Sequence, residues 1–430
     1  MNTSTVIAMS VDLYDHQIEN AVTLARSIAE KGAALDTSDT GTGKSYTALS
    51  VAEIRHKKPF VFCPKSVGPS WETKFCKFGM LPEDTWWINY EKARKDDWLD
   101  KAGLDPKEWL LIFDECHRVK GKDTLQARLV KQAKEMGYEM LFLSATPAAT
   151  PLETRALFYA HGITGWGNWW SLLPNFGCRK QTWIPGSPWG WKPKDDLEAD
   201  EHMKNVRALF GQSMVHTPWR DVDGFPEYAL APEIVRLSGP NRKKLDDARM
   251  ELDPCNPGSH TVERVLIEDV RVATMVELTL DLVEQGHTVI SFFNFRQPLS
   301  NYWNKLRDNP KIRRLLCTLE GSTPLEIRAA IVDRVQKDTC RVLACQSQCA
   351  AEGIDLHDVT GKHPRVSLIS LPYSATIYRQ ILGRTHRAEG RSRAVFKPVV
   401  VSDTVEQSRI LPAITRKMDN LSTLLDTELY

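Results

Sequence analysis

The sequence predicts an α/β protein of two lobes, each a mainly parallel sheet flanked by helices, and three observations lead there. Short apolar runs alternate with helical patterns through the first half: GAALDTSD, PFVFCP at 59–64, WLLIFDE and EMLFLSATP at 139–147. Such alternation implies parallel strands joined by crossover helices. The pattern lapses into a stretch rich in Gly, Pro and Trp at 162–196, then returns as HTVISFF, RRLLCTLEG, CRVLACQ, RVSLISLP and RAVFKPVVVS. Finally, 430 residues exceed what one hydrophobic core organises, so two domains of about 200 residues are expected. The reading places a first lobe at 1–220, a second at 221–430, and a linker near 217–233, where TPWRDVDGFPEYALAP carries the Pro and Gly signals of a connection.

The first strand runs into SDTGTGKS at 38–45, which opens a helical pattern, KSYTALSVAEIRH. A glycine-rich turn between strand and helix lets the backbone N–H groups of Thr40, Gly41, Thr42 and Gly43 surround phosphate oxygens. Lys44 then supplies a charge to the β- and γ-phosphates, and the Ser45 hydroxyl a ligand to Mg²⁺. The first position is Ser38, where the pattern has glycine. The third apolar run, WLLIFDE, ends in adjacent carboxylates. Asp114 is expected to hold the magnesium, and Glu115 to orient and deprotonate an attacking water. Together these predict ATP hydrolysis with Mg²⁺, at the carboxyl ends of the strands where such sheets keep their chemistry.

Composition excludes other classes. The 42% hydrophobic and 26% charged fractions are those of a globular protein. No apolar run approaches the roughly 18 residues of a membrane span. The beginning, MNTSTVIAMSVDLYDHQ, lacks a basic region and a sustained apolar stretch, so the protein is expected to stay in the cytoplasm where it is made. Nine cysteines lie without paired metal spacing, and Cys340, Cys345 and Cys349 have neither a CxxC nor a His pair beside them, so zinc is not expected. A net charge of +1 means that any polyanion site must be a local groove.

The second lobe has no phosphate loop, which implies one nucleotide between the two lobes. It does carry QILGRTHR at 380–387. Helical spacing puts Gln380, Arg384 and Arg387 on nearby turns of one helix, with Gly383 allowing close approach. Arginines offered to the γ-phosphate from another domain stabilise the charge of phosphoryl transfer and make hydrolysis depend on closure.

Eight landmarks now stand in a familiar order: LYDHQ at 13–17, SDTGTGKS, FCPKSVGPSW at 62–71, INYEKAR at 88–94, DECH at 114–117, LSATP at 143–147, QCAAEGIDL at 348–356 and QILGRTHR. In these the chain resembles the superfamily 2 helicases and translocases, and more narrowly the Snf2-type ATPases. They correspond to the Q motif and motifs I, Ia, Ib, II, III, V and VI. CPKSVGPSWETKFCKF, SDTVEQSRI at 402–410 and the opening of motif VI with Gln380 point to the Snf2 group rather than to DEAD-box RNA helicases. One departure is AEGIDL, where Snf2 proteins tend to GGxGLNL. The short spacer between lobes also leaves little room for the protrusions of chromatin remodellers.

The resemblance implies two RecA-like lobes with the nucleotide cleft between them. It implies adenine contact by Gln17, a nucleotide-side place for Asp355, and a coupling role for His117 and the run Ser144 to Thr146. It also implies that DNA crosses both lobes, touched by Lys65 and Ser66 in the first and by Ser347 and Gln348 in the second. Such contacts are sequence-tolerant and salt-sensitive. Trp166, Trp169, Trp170, Trp183, Trp189 and Trp191 crowd one segment; they either pack a loop poor in aliphatic residues or stack bases at a DNA junction. The expected function is a monomeric DNA-dependent ATPase that translocates on duplex or branched DNA, associated with the nucleoid or, for a viral protein, in the host cytoplasm. An RNA helicase and a nucleotide-gated scaffold without motor activity are the competing readings.

Overall fold

Strands buried on both faces need continuous apolar sequence, and WLLIFD shows how the molecule uses it. Trp109, Leu111 and Phe113 enter one core cluster while Leu110 and Ile112 enter another on the opposite face. In the computed structural model the described residues are 10–84, 86–94, 98–121, 123–180, 189–251, 257–350 and 353–426. The chain divides into two units, Met1–Val222 with Lys417–Leu429, and Asp223–Arg416.

In the first unit the strands are β1 (Ala33–Asp36), β2 (Lys58–Cys63), β3 (Trp86–Asn89), β4 (Trp109–Asp114), β5 (Glu139–Leu143), a small antiparallel pair β6 (Cys178–Lys180) and β7 (Trp189–Trp191), and β8 (Met214–Val215). The main sheet has the order β3-β2-β4-β5-β1-β8 and is parallel throughout. Helices α1 (Asp15–Lys31), α2 (Lys44–Ile54) and α3 (Gly68–Lys77) cover one face, burying Ala21, Leu24, Leu49, Val51, Trp71 and Phe75. The four strands expected from the alternation are all present.

In the second unit β9 (Tyr228–Leu230), β10 (Glu233–Val235), β11 (Thr288–Phe293), β12 (Leu316–Leu319), β13 (Val342–Gln346), β14 (Arg365–Ser370) and β15 (Ala394–Val401) form another parallel sheet. Its order is β10-β15-β14-β11-β13-β12, with β9 also pairing on β15. The 402–410 element closes this unit. Glu406 receives both Nη atoms of Arg271 at 2.7 and 2.8 Å, and the two side chains are only 4% and 1% exposed. Among the described residues no helix is long and apolar enough to cross a membrane.

Two placements differ from the sequence reading. Part of the expected linker at 217–233 is built into a sheet: β9 lies within it and β10 begins at its last residue, both as short additions beside β15. The prolines of this stretch, Pro218, Pro226 and Pro232, mark it as loop, and the short strands fit between them. The second difference lies at the other end. Residues from Lys417 group with the first unit, where Leu424 joins its core and Asn420 Nδ2 donates to the Ala149 carbonyl at 3.3 Å. The helix Leu411–Leu425 has an apolar face, which the sequence displays, but not the sheet that face will cover.

Candidate active site

β1 leaves its sheet at Asp36 and the chain turns through residues 37–43 before α2 begins at Lys44. The turn requires left-handed backbone at Gly41 (φ 89°) and Gly43 (φ 92°), which glycine adopts without steric cost. Gly43 has no space for a side chain either, because a Cβ would come within 2.1 Å of Gln17 Nε2. Gln17 is buried against the turn: its Nε2 donates to the Thr42 carbonyl at 3.0 Å, and its Oε1 accepts the Tyr14 N–H at 3.1 Å. His16 Nε2 also lies 3.0 Å from the Thr42 carbonyl. Gln17, expected at the adenine edge, braces the 37–43 turn through the Thr42 carbonyl.

The Lys44 ammonium points back into the turn, donating to the carbonyls of Ser38 at 2.7 Å and Asp39 at 3.0 Å. Burial lowers its pKa, against the pull of the Asp36, Glu115, Asp39 and Asp114 carboxylates. Thr40 and Thr42 are buried in the turn, and Ser45 is half-buried in the first turn of α2, where unpaired helix N–H groups favour an anion. Asp36 sits fully buried behind the loop. One oxygen accepts the Ser38 N–H at 2.9 Å, the other has no partner, and burial raises its pKa.

Residues 214–219 form a wall for this loop that the sequence did not announce. The N–H groups of Thr37 and Asp39 donate to the carbonyls of Val215 and Thr217 at 2.9 and 3.0 Å, and the Trp219 N–H donates to Asp39 Oδ2 at 2.8 Å. Ser38 Oγ accepts the Thr217 N–H at 3.1 Å. The serine that departs from the glycine pattern thus adds a side-chain bond between loop and wall, beside those of Thr37 and Asp39.

β5 lies between β1 and β4, so Asp114 and the phosphate loop stand two strand spacings apart, roughly 10 Å, at the same end of the sheet. Asp114 Oδ1 accepts the Glu115 N–H at 3.0 Å and Oδ2 accepts the Trp71 indole N–H at 2.9 Å. Burial first, and repulsion by Glu115 second, raise the Asp114 pKa to about 6; the Trp71 N–H, Lys74 and Lys44 oppose the shift. Glu115 is a non-glycine residue in left-handed backbone (φ 53°, ψ 51°), a strain of order 1–3 kcal/mol of the kind found where a side chain must be aimed. His117 Nδ1 meets Glu115 Oε2 at 3.2 Å and faces Ser144 Oγ at 3.4 Å, and Ser144 Oγ accepts the Thr146 N–H at 3.1 Å. His117, Ser144 and Thr146, the residues expected to couple, are thus brought together with Glu115.

Mg²⁺ fits these donors. Among the described residues no group of three or more His, Cys, Asp or Glu forms a metal cage. Ser45 and Asp114 would hold such an ion together with phosphate and water oxygens, which needs no all-protein cage.

In the second unit the helix Ala375–Thr385 starts at Ser374, whose Oγ accepts the Ile377 N–H at 3.4 Å. Gln380 and Arg384 share a face four residues apart, both buried. Arg387 does not lie on this helix, contrary to expectation. The helix ends at Thr385 because His386 turns extended (φ −116°, ψ 108°), its Nε2 2.8 Å from the Pro226 carbonyl. Arg387 then pairs with Asp355 at 2.8 Å, while Arg384 Nη1 donates to the Ile354 carbonyl at 3.1 Å. Residues 354–356 and 384–387 are laced together. Gln380 Nε2 and Ser347 Oγ are buried without hydrogen-bond partners, an uncommon state that calls for an explanation.

Gln348 and Lys65 are exposed and Ser66 half-buried, the last two in the turn between β2 and α3. The described tryptophans pack. Trp166, Trp169 and Trp170 surround the Arg155 guanidinium with ring centroids at 4.3, 6.0 and 5.4 Å, Trp170 stacks on Trp189, and the Trp191 indole donates to the Phe176 carbonyl at 2.9 Å. Trp183 lies outside the described residues.

Residues 271–389 match the helicase conserved C-terminal domain. Across 98% of this chain and 85% of the other, the sequence is 25% identical to a protein of Acanthamoeba polyphaga mimivirus named as an ATP-dependent RNA helicase. It is 23% identical to the SWI/SNF-related matrix-associated actin-dependent regulator of chromatin subfamily A-like protein 1 of Bos taurus, covering 69% of this chain but only 33% of that longer protein. Among solved structures, the DUF1998 helicase MrfA bound to DNA and AMPPNP shares the fold of two RecA-like lobes. It has a TM-score of 0.55 and 12% identity, over 94% of this chain and 50% of MrfA.

Proposed function

We propose that this chain, which belongs to the superfamily 2 helicases and is Snf2-like, uses ATP hydrolysis to move along duplex or branched DNA. Hydrolysis itself goes with the family. The observation that carries the reading is that one sheet delivers both the Lys44 turn and the Asp114–Glu115 strand end at the same end.

Lys44 would exchange the Ser38 and Asp39 carbonyls for β- and γ-phosphate oxygens. Ser45 and Asp114 would hold Mg²⁺, which when bound neutralises phosphate charge and orients the leaving group. Glu115, aimed by its left-handed backbone and steadied by His117, would take the proton of the attacking water. Arg384 and Arg387 are the arginines that the second unit would supply to the transition state, with Gln380 beside them and Asp355 holding Arg387. Lys65, Ser66, Ser347 and Gln348 are proposed as contacts to the DNA backbone.

Preference for DNA rests on Snf2-like features, Gln380 opening its motif among them, while the name of the viral relative favours RNA. ATPase rates measured side by side on single-stranded, duplex and forked DNA and on RNA, together with strand displacement, decide the matter. DNA is expected to stimulate turnover at least tenfold over RNA. Stimulation by RNA alone would make the chain an RNA helicase, and turnover equal in wild type and Glu115→Gln would leave a scaffold.

A further inference from the structure

Helix α3 begins directly after the turn that carries Lys65 and Ser66, and its backbone continues the hydrogen bonds of that turn: the Val67 N–H donates to the Pro64 carbonyl at 2.9 Å and the Trp71 N–H to the Val67 carbonyl at 3.2 Å. Trp71 is fully buried, packed with Phe75 at 5.9 Å between centroids. An indole offers one donor and no acceptor, and a buried one must find a partner. The partner here is Asp114 Oδ2, at 2.9 Å. Since the Glu115 N–H holds Oδ1 at 3.0 Å, both oxygens of the carboxylate are tied, one by its own strand end and one by a different element. Packing alone would be met by phenylalanine.

We propose that Trp71 is the positioning residue of the metal site: its indole N–H, delivered by α3, holds the Asp114 carboxylate in the rotamer that receives Mg²⁺. The proposal rests on the reading of Asp114 as the magnesium carboxylate. It deepens that reading, because α3 follows directly on the turn proposed to contact the nucleic-acid backbone. A shift of α3 when Lys65 and Ser66 engage phosphate is then felt at Asp114. Binding of Mg²⁺ and of nucleic acid become linked, and by thermodynamic necessity the linkage is reciprocal.

The test replaces the N–H and keeps the shape. Trp71→Phe, and benzothienylalanine at position 71 with sulfur in place of the indole N–H, are compared with wild type in the full chain. Three quantities are read: half-saturation of the ATPase by Mg²⁺, binding of a non-hydrolysable ATP analogue with and without metal, and binding of Mn²⁺ to the analogue complex by electron paramagnetic resonance. Metal half-saturation is expected to rise about three- to tenfold in both variants. The turnover number at saturating Mg²⁺ should stay within about threefold, and metal-free analogue binding should not change. Duplex DNA should tighten Mn²⁺ binding in wild type and not in the variants. Unchanged metal affinity in the benzothienylalanine protein overturns the proposal, and so does a loss of metal-free analogue binding equal to the loss of metal affinity, which would mark a structural role. Should wild type bind metal and analogue without hydrolysing ATP, the hydrolytic reading fails while the Mn²⁺ comparison still decides the role of Trp71.

Discussion

His117 and Glu115 are joined across 3.2 Å, imidazole Nδ1 to carboxylate Oε2, and the same nitrogen faces Ser144 at 3.4 Å on the neighbouring strand end. One ring therefore touches the group assigned to water activation and the first residue of the SAT run. His117→Ala is expected to keep nucleotide affinity and to leave basal hydrolysis within about tenfold, about 1.4 kcal/mol of barrier. Movement or strand displacement per ATP should fall by more. Parallel ATPase and displacement assays check the split; a proportional loss of both would remove His117 from coupling.

Lys44 and Glu115 should fail differently. Lys44→Ala removes the charge that the loop holds on its Ser38 and Asp39 carbonyls, and nucleotide binding should weaken. Glu115→Gln keeps the side-chain shape but not the base, so binding should persist while turnover drops about 10²- to 10⁴-fold. Equilibrium binding of labelled ATP and single-turnover hydrolysis separate the two.

Arg271 and Glu406 form a buried bidentate pair, and removing one partner strands the other's charge. Glu406→Ala is expected to cost about 3–5 kcal/mol, whereas replacing both, Arg271→Met with Glu406→Leu, should cost less than either single change. Urea denaturation followed by near-ultraviolet circular dichroism gives the three values.

Glu268 supplies a pH dependence of stability. It is buried with Oε1 accepting the Asn294 N–H at 2.6 Å, and burial pushes its pKa up to about 7, against the pull of Arg271. The folded value lies above the ordinary 4.5, so the group's contribution is fully present below about 4.5 and is lost as pH rises through 7. Glu268→Gln should therefore stabilise the protein at pH 8, by roughly 1–3 kcal/mol, and do little at pH 5. Thermal unfolding at the two pH values measures it.

Strands buried on both faces, such as PFVFC and WLLIFD, announce themselves because a short unbroken apolar run, too short for a buried helix, suits a sheet interior. The placement of Lys44, Ser45, Asp114 and Glu115 was legible for a related reason: a turn and a strand end carry them at fixed local spacing. Trp71 and the wall at 214–219 were not. Their roles are hydrogen bonds to chain far away in sequence, and a tryptophan in an apolar helix pattern looks the same whether its N–H meets a carboxylate or a carbonyl. Arg387 shows the opposite limit. Helical spacing placed it with Arg384, but a single extended residue, His386, ended the helix first.

The wall at 214–219 and the return of residues from Lys417 also fix an order of events during synthesis. Until Met214 and Val215 leave the ribosome, β1 is a bare sheet edge, open to pairing with another nascent chain. Until Leu424 follows, the first unit's core lacks one of its apolar members. The unit begun before the other thus receives a core member after it, and a ribosome stalled between the two points would hold the Lys44 turn already walled but mounted on an unfinished core.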